Sequence, residues 1–121
     1  MKIFKIFIIT TFLLITVLSC LTAILDRPLT EEEEKFLGTW KRVIGIANWS
    51  SWEFNEYRNV RYYSTNPIWG DKESEYIWEA DGNILTLYER NTLIAKVVRR
   101  YEYSFPSEDI LVLDGSEYEK Q

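Results

Sequence analysis

The amino-acid sequence predicts an all-β domain, a small antiparallel up-and-down barrel of about eight strands over residues 36–121. Short runs rich in Val, Ile, Thr, Tyr and Trp recur about every ten residues after Trp40, separated by turn signals and without a helical period. Several of these runs alternate apolar and polar side chains, as expected for an antiparallel sheet with one wet face. A meander of hairpins leaves two exposed edges, and closure into a barrel removes them.

Residues 1–19 have the layout of a secretory signal peptide, since two lysines precede the uncharged, mostly apolar run Ile6–Leu18. The junction Val17–Cys20 resembles a bacterial lipobox, which implies cleavage before Cys20 and lipidation of this single cysteine. The alternative is an uncleaved helical anchor extending to about residue 25, because about 20 apolar residues span a bilayer. Both alternatives place the domain in the bacterial cell envelope, tethered to a membrane and facing the periplasm or the exterior.

Residues 20–35 are predicted to form the tether and a short helix. Thr30 followed by Glu33 is typical of a capping box, and acidic residues in the first turn suit the helix dipole. Glu31 and Lys35 stand at a spacing that favours an ion pair on a helix. We therefore predict one or two helical turns up to Leu37, with the glutamates forming a solvated face that keeps the domain off an anionic bilayer.

The strand signals are separated by turns of known chemistry. Asp81-Gly82 and Asp114-Gly115 both favour tight hairpins. Alternation places Val97 on one face with Tyr101, Tyr103 and Phe105. The predicted strands are Thr39–Ile46, Ser51–Asn55, Arg58–Ser64, Glu73–Glu79, Asn83–Glu89, Ile94–Ser104, Asp109–Leu113 and Ser116–Lys120.

The first strand opens on Leu-Gly-Thr-Trp at 37–40, where Gly38 permits a sharp turn and Trp40 offers a large ring to bury. This start resembles that of small bacterial lipocalin-like lipoproteins. The resemblance continues through Trp52–Asn55, Asp81–Leu87, Ser107–Leu113 and the terminal Tyr118-x-Lys120. It implies a lipocalin-like barrel. The chain lacks a C-terminal helix, a disulfide and the further motifs of typical lipocalins, so the resemblance does not by itself imply ligand binding.

Charge and composition exclude several functions. Loss of residues 1–19 removes two lysines and no acids, so the formal net charge goes from −5 to −7. An acidic domain repels phosphate backbones, and we expect no nucleic-acid partner. The chain has no His, and no phosphate loop, zinc spacing or dinucleotide fingerprint is present. We therefore expect no enzymatic activity, no cofactor and no metal site.

Two function classes remain open. The first is a binding module that holds a small apolar or amphipathic ligand at the barrel mouth. The alternative is a protein-interaction module, such as an inhibitor or an envelope assembly factor, with a filled barrel. The barrel interior distinguishes them, because small eight-stranded barrels are either filled by side chains or hold one small ligand.

The candidate binding residues follow from the topology of a meander, in which odd-numbered connections lie at one end. Trp49 is predicted in the first connection and Trp69 in the third, so both are expected to ring the mouth. Trp52 and Tyr63 are predicted just inside the rim, with Arg90 as a partner for an anionic head. The N-terminal helix would close the opposite end. The competing interpretation is that both loop tryptophans fold back and plug the barrel.

Overall fold

The computed structural model describes residues 20–91 and 94–121, so the predicted signal peptide and most of the alternative anchor lie outside the described residues. Eight antiparallel strands form a closed barrel in which each strand pairs with its sequence neighbours and the last pairs with the first. The predicted fold class is therefore confirmed. The strands are β1 Gly38–Gly45, β2 Asn48–Phe54, β3 Asn59–Ser64, β4 Lys72–Asp81, β5 Ile84–Glu89, β6 Val97–Ser107, β7 Ile110–Leu113 and β8 Ser116–Lys120.

Two short helices precede the barrel, α1 Cys20–Asp26 and α2 Glu31–Glu34. Within the described ranges, neither helix is long and apolar enough to cross a membrane. The predicted capping box is confirmed, because Thr30 Oγ1 accepts from the Glu33 N–H at 3.1 Å and the Thr30 N–H donates to Glu33 Oε1 at 3.1 Å. Lys35 pairs with Glu32 at 3.0 Å rather than with Glu31.

The strand boundaries differ from the prediction at the first hairpin. β2 begins at Asn48, so only Ile46 and Ala47 separate it from β1. Ala47 takes the positive φ of 57° that so tight a turn requires. Trp49 consequently lies within a strand and not in a connection.

Aromatic side chains fill one end of the barrel around the fully buried Phe36. The ring centroid of Phe36 lies 4.8 Å from that of Tyr103, 4.9 Å from that of Phe105 and 5.2 Å from that of Phe54. Trp40 is also fully buried, and its Nε1–H donates to Phe36 O at 2.8 Å. The chain thus enters β1 from the short helix with one aromatic side chain on each side of the turn, and the two close this end together.

The glutamate run is not a wholly solvated face, because Glu33 is fully buried. Its carboxylate accepts from both terminal nitrogens of Arg58, at 2.6 Å and 3.0 Å, and from the Ala80 N–H at 3.0 Å. Burial raises the pKa of Glu33, but the hydrogen bonds from Arg58, Ala80 and Thr30 outweigh it and lower the pKa to about 2. The prediction of a fully solvated glutamate face was therefore wrong for Glu33, because its partner Arg58 lies in the β2–β3 connection, 25 residues further along the chain.

Candidate functional site

The opposite end of the barrel, which we call the open end, carries the β1–β2, β3–β4, β5–β6 and β7–β8 connections, as the meander topology requires. A cavity of about 600 Å³ lies there. Its wall is built from residues of seven strands, β2 to β8, and of the last hairpin turn. The lining residues are Trp52, Tyr62, Tyr76, Leu87, Val98, Arg99, Tyr101, Leu113, Asp114, Ser116 and Tyr118.

The cavity wall is mainly aromatic. Trp52 pairs with Tyr62 across β2 and β3, and their ring centroids lie 4.5 Å apart. Tyr101 meets Trp52 edge to face at 5.7 Å from the other side of the barrel. Trp52 is buried, and its Nε1–H has no hydrogen-bond partner among the described residues. A buried donor of this kind favours a ligand that offers an acceptor beside the indole.

Polar groups stand around this aromatic wall. The Arg99 guanidinium lies 4.8 Å from the centroid of the Tyr101 ring, a cation–π geometry, and no carboxylate pairs with Arg99 in the described part of the chain. Burial raises the pKa of Tyr101, and the nearby Arg99 charge opposes that rise. The Tyr101 hydroxyl is therefore protonated at neutral pH and can donate a hydrogen bond. Arg42 Nη1 donates to Ser116 Oγ at 2.9 Å and fixes one side of the mouth.

Of the predicted binding residues, Trp52 lines the cavity, whereas Trp49 and Tyr63 lie on the outer wall. Their rings contact each other at 5.1 Å, and the Lys41 ammonium lies 4.5 Å from the Trp49 ring. Tyr63 is further held outside by Asp71, whose Oδ2 accepts from the tyrosine hydroxyl at 2.7 Å. The placement of Tyr63 inside the rim was wrong because successive side chains on a strand alternate faces, and it is the neighbour Tyr62 that points inward.

Trp69 does lie at the open end, in the β3–β4 loop, and its side chain is 79% exposed. The Asn66 side chain shapes this loop by accepting from the Ile68 and Trp69 N–H groups at 2.9 Å and 3.1 Å. The interpretation that Trp49 and Trp69 plug the barrel is therefore wrong.

Arg90 is not directed at the mouth. Its Nη1 pairs with Glu75 on the outer wall, where Glu75 also pairs with Arg61. The cation beside the cavity is Arg99, which sequence reasoning missed together with Tyr62, Tyr76, Tyr101 and Tyr118. Alternation contained a usable signal for Arg99, since it stands two residues before Tyr101 on one strand.

A β-bulge at the start of β6 also changes the predicted faces. Arg99 pairs with Leu87 but Val97 pairs with Tyr88, so one extra residue lies between the two pairs. Val97 consequently shares the outer face with Tyr88. Simple alternation had predicted that Val97 shares a face with Tyr101, and this prediction was wrong. The bulge leaves Val98 at the edge of the cavity, half exposed.

No group of three or more Cys, Asp or Glu side chains is arranged to hold a metal ion within residues 20–91 and 94–121. Comparisons with protein-family models, curated protein sequences and solved structures find no match to this chain. The function must therefore be argued from the closed barrel, its aromatic cavity and the residues around the mouth.

Proposed function

We propose that this protein is a membrane-tethered, extracytoplasmic binding module that holds one small amphipathic ligand in the cavity at the open end. The observation that carries this proposal is the cavity itself. Its volume of about 600 Å³ lies within the range of about 300–1,000 Å³ found for small-molecule sites. A filled barrel would have favoured the alternative of a protein-interaction module, since it leaves no interior space for a ligand.

The lining defines the chemical class of the ligand. Five large aromatic rings, four of them tyrosines, and two leucines provide a wall of apolar faces and hydroxyl groups that suits an acyl chain or a flat ring system. Arg99, which has no carboxylate partner among residues 20–91 and 94–121, offers two parallel N–H donors for a carboxylate or phosphate head at the mouth. An anionic amphiphile, with its apolar part inside and its head at Arg99, satisfies both features.

The tether is part of the proposal. The lipobox-like junction before Cys20 and the apolar run ahead of it support a lipoprotein of the bacterial cell envelope, anchored by lipidation of Cys20. Residues 20–35 then connect this anchor to the barrel. A tethered module of this kind keeps its ligand site close to the membrane in which amphiphiles reside.

The test uses the full chain in phospholipid nanodiscs and a photoreactive palmitate as the probe. We expect cross-links on inward-facing residues of β3, β6 and β8, namely Tyr62, Tyr101 and Tyr118, that unlabelled palmitate competes away. Arg99→Gln should lose most of the labelling because the head group loses its charge partner. Arg100→Gln is the matched control, since Arg100 is the next residue on the strand and is exposed on the other face.

Equal labelling of the Arg99→Gln and Arg100→Gln variants, with cross-links confined to the outer wall, would overturn the proposal. Mass spectrometry of protein released from the nanodiscs adds an independent readout. An anionic amphiphile that remains bound to the parent protein and is lost from the Arg99→Gln variant would support the proposed ligand class.

A further inference from the structure

Exposed apolar side chains concentrate at the open end of the barrel. The β1–β2, β3–β4 and β5–β6 connections each contribute at least one, and Ile46, Ile68 and Trp69 are 98%, 80% and 79% exposed. Among the described residues at the closed end, Tyr57 is the one large apolar side chain with a comparable exposed fraction, 74%. We define the apolar rim as Ile44, Ile46, Ile68, Trp69, Ile94 and Val98.

An apolar rim on three separate loops is not explained by the packing of the barrel. These side chains lie around the cavity mouth rather than in it, apart from Val98 at its edge. Exposed apolar groups that cluster in this way mark a surface that contacts another apolar phase or partner. Trp and Ile at loop tips suit the boundary between lipid head groups and acyl chains, where an indole ring combines apolar area with one polar N–H.

The direction of α1 indicates that the N-terminal anchor lies on the same side of the barrel as the apolar rim. Just beyond its C-terminal end, Arg27 O accepts from Arg58 Nε at 3.1 Å, at the closed end of the barrel. Ile24, three residues earlier, packs on the outer wall against Ile77, in a cluster that Ala95 of the β5–β6 connection also joins. The helix therefore rises along the wall towards the open end, and Cys20 lies about four residues, roughly 6 Å, further in that direction.

Charge distribution agrees with this orientation. Lys72, Arg99 and Arg100 lie on the strand segments next to the rim, and Lys96 lies in the β5–β6 connection. Among the acids at this end, Glu89 pairs with Lys96 at 3.5 Å, whereas Asp71 and Asp114 accept hydrogen bonds from the Tyr63 hydroxyl and the Glu102 N–H. The closed end instead carries the acidic first turn of α2 and the acidic even-numbered turns. The acids there are Glu31, Glu32, Glu34, Glu56, Asp81, Glu108 and Asp109, of which Glu32 pairs with Lys35.

We infer that the apolar rim docks onto the bilayer that holds the N-terminal anchor, so that the mouth of the barrel faces the membrane and the acidic closed end faces away. The occupant of this surface is a lipid bilayer containing anionic phospholipid. The rim residues enter the head-group boundary to a depth of about 5–10 Å, as interfacial apolar groups do. The inference rests on the membrane tether of the proposed function, but it concerns the outer surface of the loops and is independent of what the cavity binds.

Trp69 provides the test, because it is both a rim residue and a fluorophore. The full chain is reconstituted in vesicles of phosphatidylcholine and phosphatidylglycerol with bromine on the acyl chains, which quenches tryptophans that reach the bilayer. We expect the parent protein to be quenched and the Trp69→Phe variant to lose most of that quenching. Trp49→Phe is the matched control, since Trp49 lies on the outer wall against Tyr63, and should leave the quenching unchanged.

A second pair of variants addresses the rest of the rim. Ile46→Ser combined with Ile68→Ser should reduce the quenching of Trp69, whereas Tyr57→Ser, at an equally exposed site on the closed end, should not. Omission of phosphatidylglycerol should weaken quenching in the parent.

Two outcomes would overturn the inference. Quenching of Trp69 by aqueous acrylamide but not by brominated lipid would mean that the rim faces away from the bilayer. Trp69 shielded from both quenchers would mean that a protein, or residues 1–19 of this chain, covers the rim instead. Neither outcome bears on palmitate labelling of the cavity, so failure here and failure of the proposed function are distinguishable.

Discussion

The two ends of this barrel are built from the same strands but differ in how tightly their side chains pack and how much apolar surface they expose. At the closed end, Phe36 and Trp40 fill the interior, and Glu33 and Arg58 satisfy each other in a site with no access to water. At the open end the same barrel leaves a cavity of about 600 Å³ and exposed apolar loops.

The difference shows how stability and recognition are divided along the barrel axis. Side chains at the closed end bury most of their surface, and the Glu33–Arg58 pair satisfies its hydrogen bonds within the chain, so this end contributes strongly to the free energy of folding. Aromatic and cationic groups at the open end keep surface and donors available. Substitutions at the closed end should therefore unfold the domain, whereas those at the open end should change binding.

The largest effect is expected at the buried ion pair. Arg58→Met leaves the Glu33 carboxylate buried without its charge partner and should lower the free energy of unfolding by about 3–5 kcal/mol. Chemical denaturation with urea measures this change. Adding Glu33→Gln to Arg58→Met removes the stranded charge and should restore part of the stability. A double variant less stable than Arg58→Met alone would contradict the proposed role of the pair.

A pH-dependent loss of stability should follow from the same pair. The pKa of Glu33 is about 2 in the folded protein and near 4.5 when unfolded, so its contribution is full above pH 4.5 and is lost as the pH falls towards 2. The Glu33→Gln variant should show a flatter decline of urea midpoint over this range. Glu32→Gln, which alters the exposed Lys35 pair, serves as the control and should decline like the parent.

The smallest effect on stability is expected for an exposed tryptophan at the open end, and a buried tryptophan at the closed end provides the comparison. Trp69→Ala removes an exposed ring and should change the free energy of unfolding by well under about 1 kcal/mol. Trp78→Ala at the closed end empties a fully buried site and should lower it by roughly 3–5 kcal/mol. Comparable urea midpoints for the two variants would show that the division between the ends is wrong.

Much of the architecture was predictable from local sequence. The eight strand runs, the Asp114-Gly115 hairpin and the Thr30–Glu33 capping box depend on neighbours a few residues apart, and the structure confirms them with shifted ends in β2 and β6. The other predicted hairpin also forms, but its two turn residues are Gly82 and Asn83 rather than Asp81 and Gly82. The order of odd and even connections then follows from counting strands, which placed Trp69 at the open end. These features are encoded locally because backbone geometry and near-neighbour hydrogen bonds decide them.

The identity of the cavity wall was decided by tertiary structure. Trp49 and Tyr63 were expected at the mouth, but Trp49 lies on the outer face of β2, which begins at Asn48. On β3, Tyr63 also faces outward opposite Ser51, and its neighbour Tyr62 lines the cavity. A one-residue shift in a strand exchanges its faces, and the bulge near Val98 has the same effect on β6.

The partners of the charged residues likewise became apparent only in the folded chain. Four consecutive glutamates look alike in the sequence, yet Glu33 alone meets Arg58 across 25 positions of chain. Arg90 and Arg99 carry the same charge, but Glu75 pairs with Arg90 on the outer wall and leaves Arg99 beside the cavity. Sequence therefore determined the elements of this barrel, and closure of the sheet determined the partners, because only closure brings distant strands into contact.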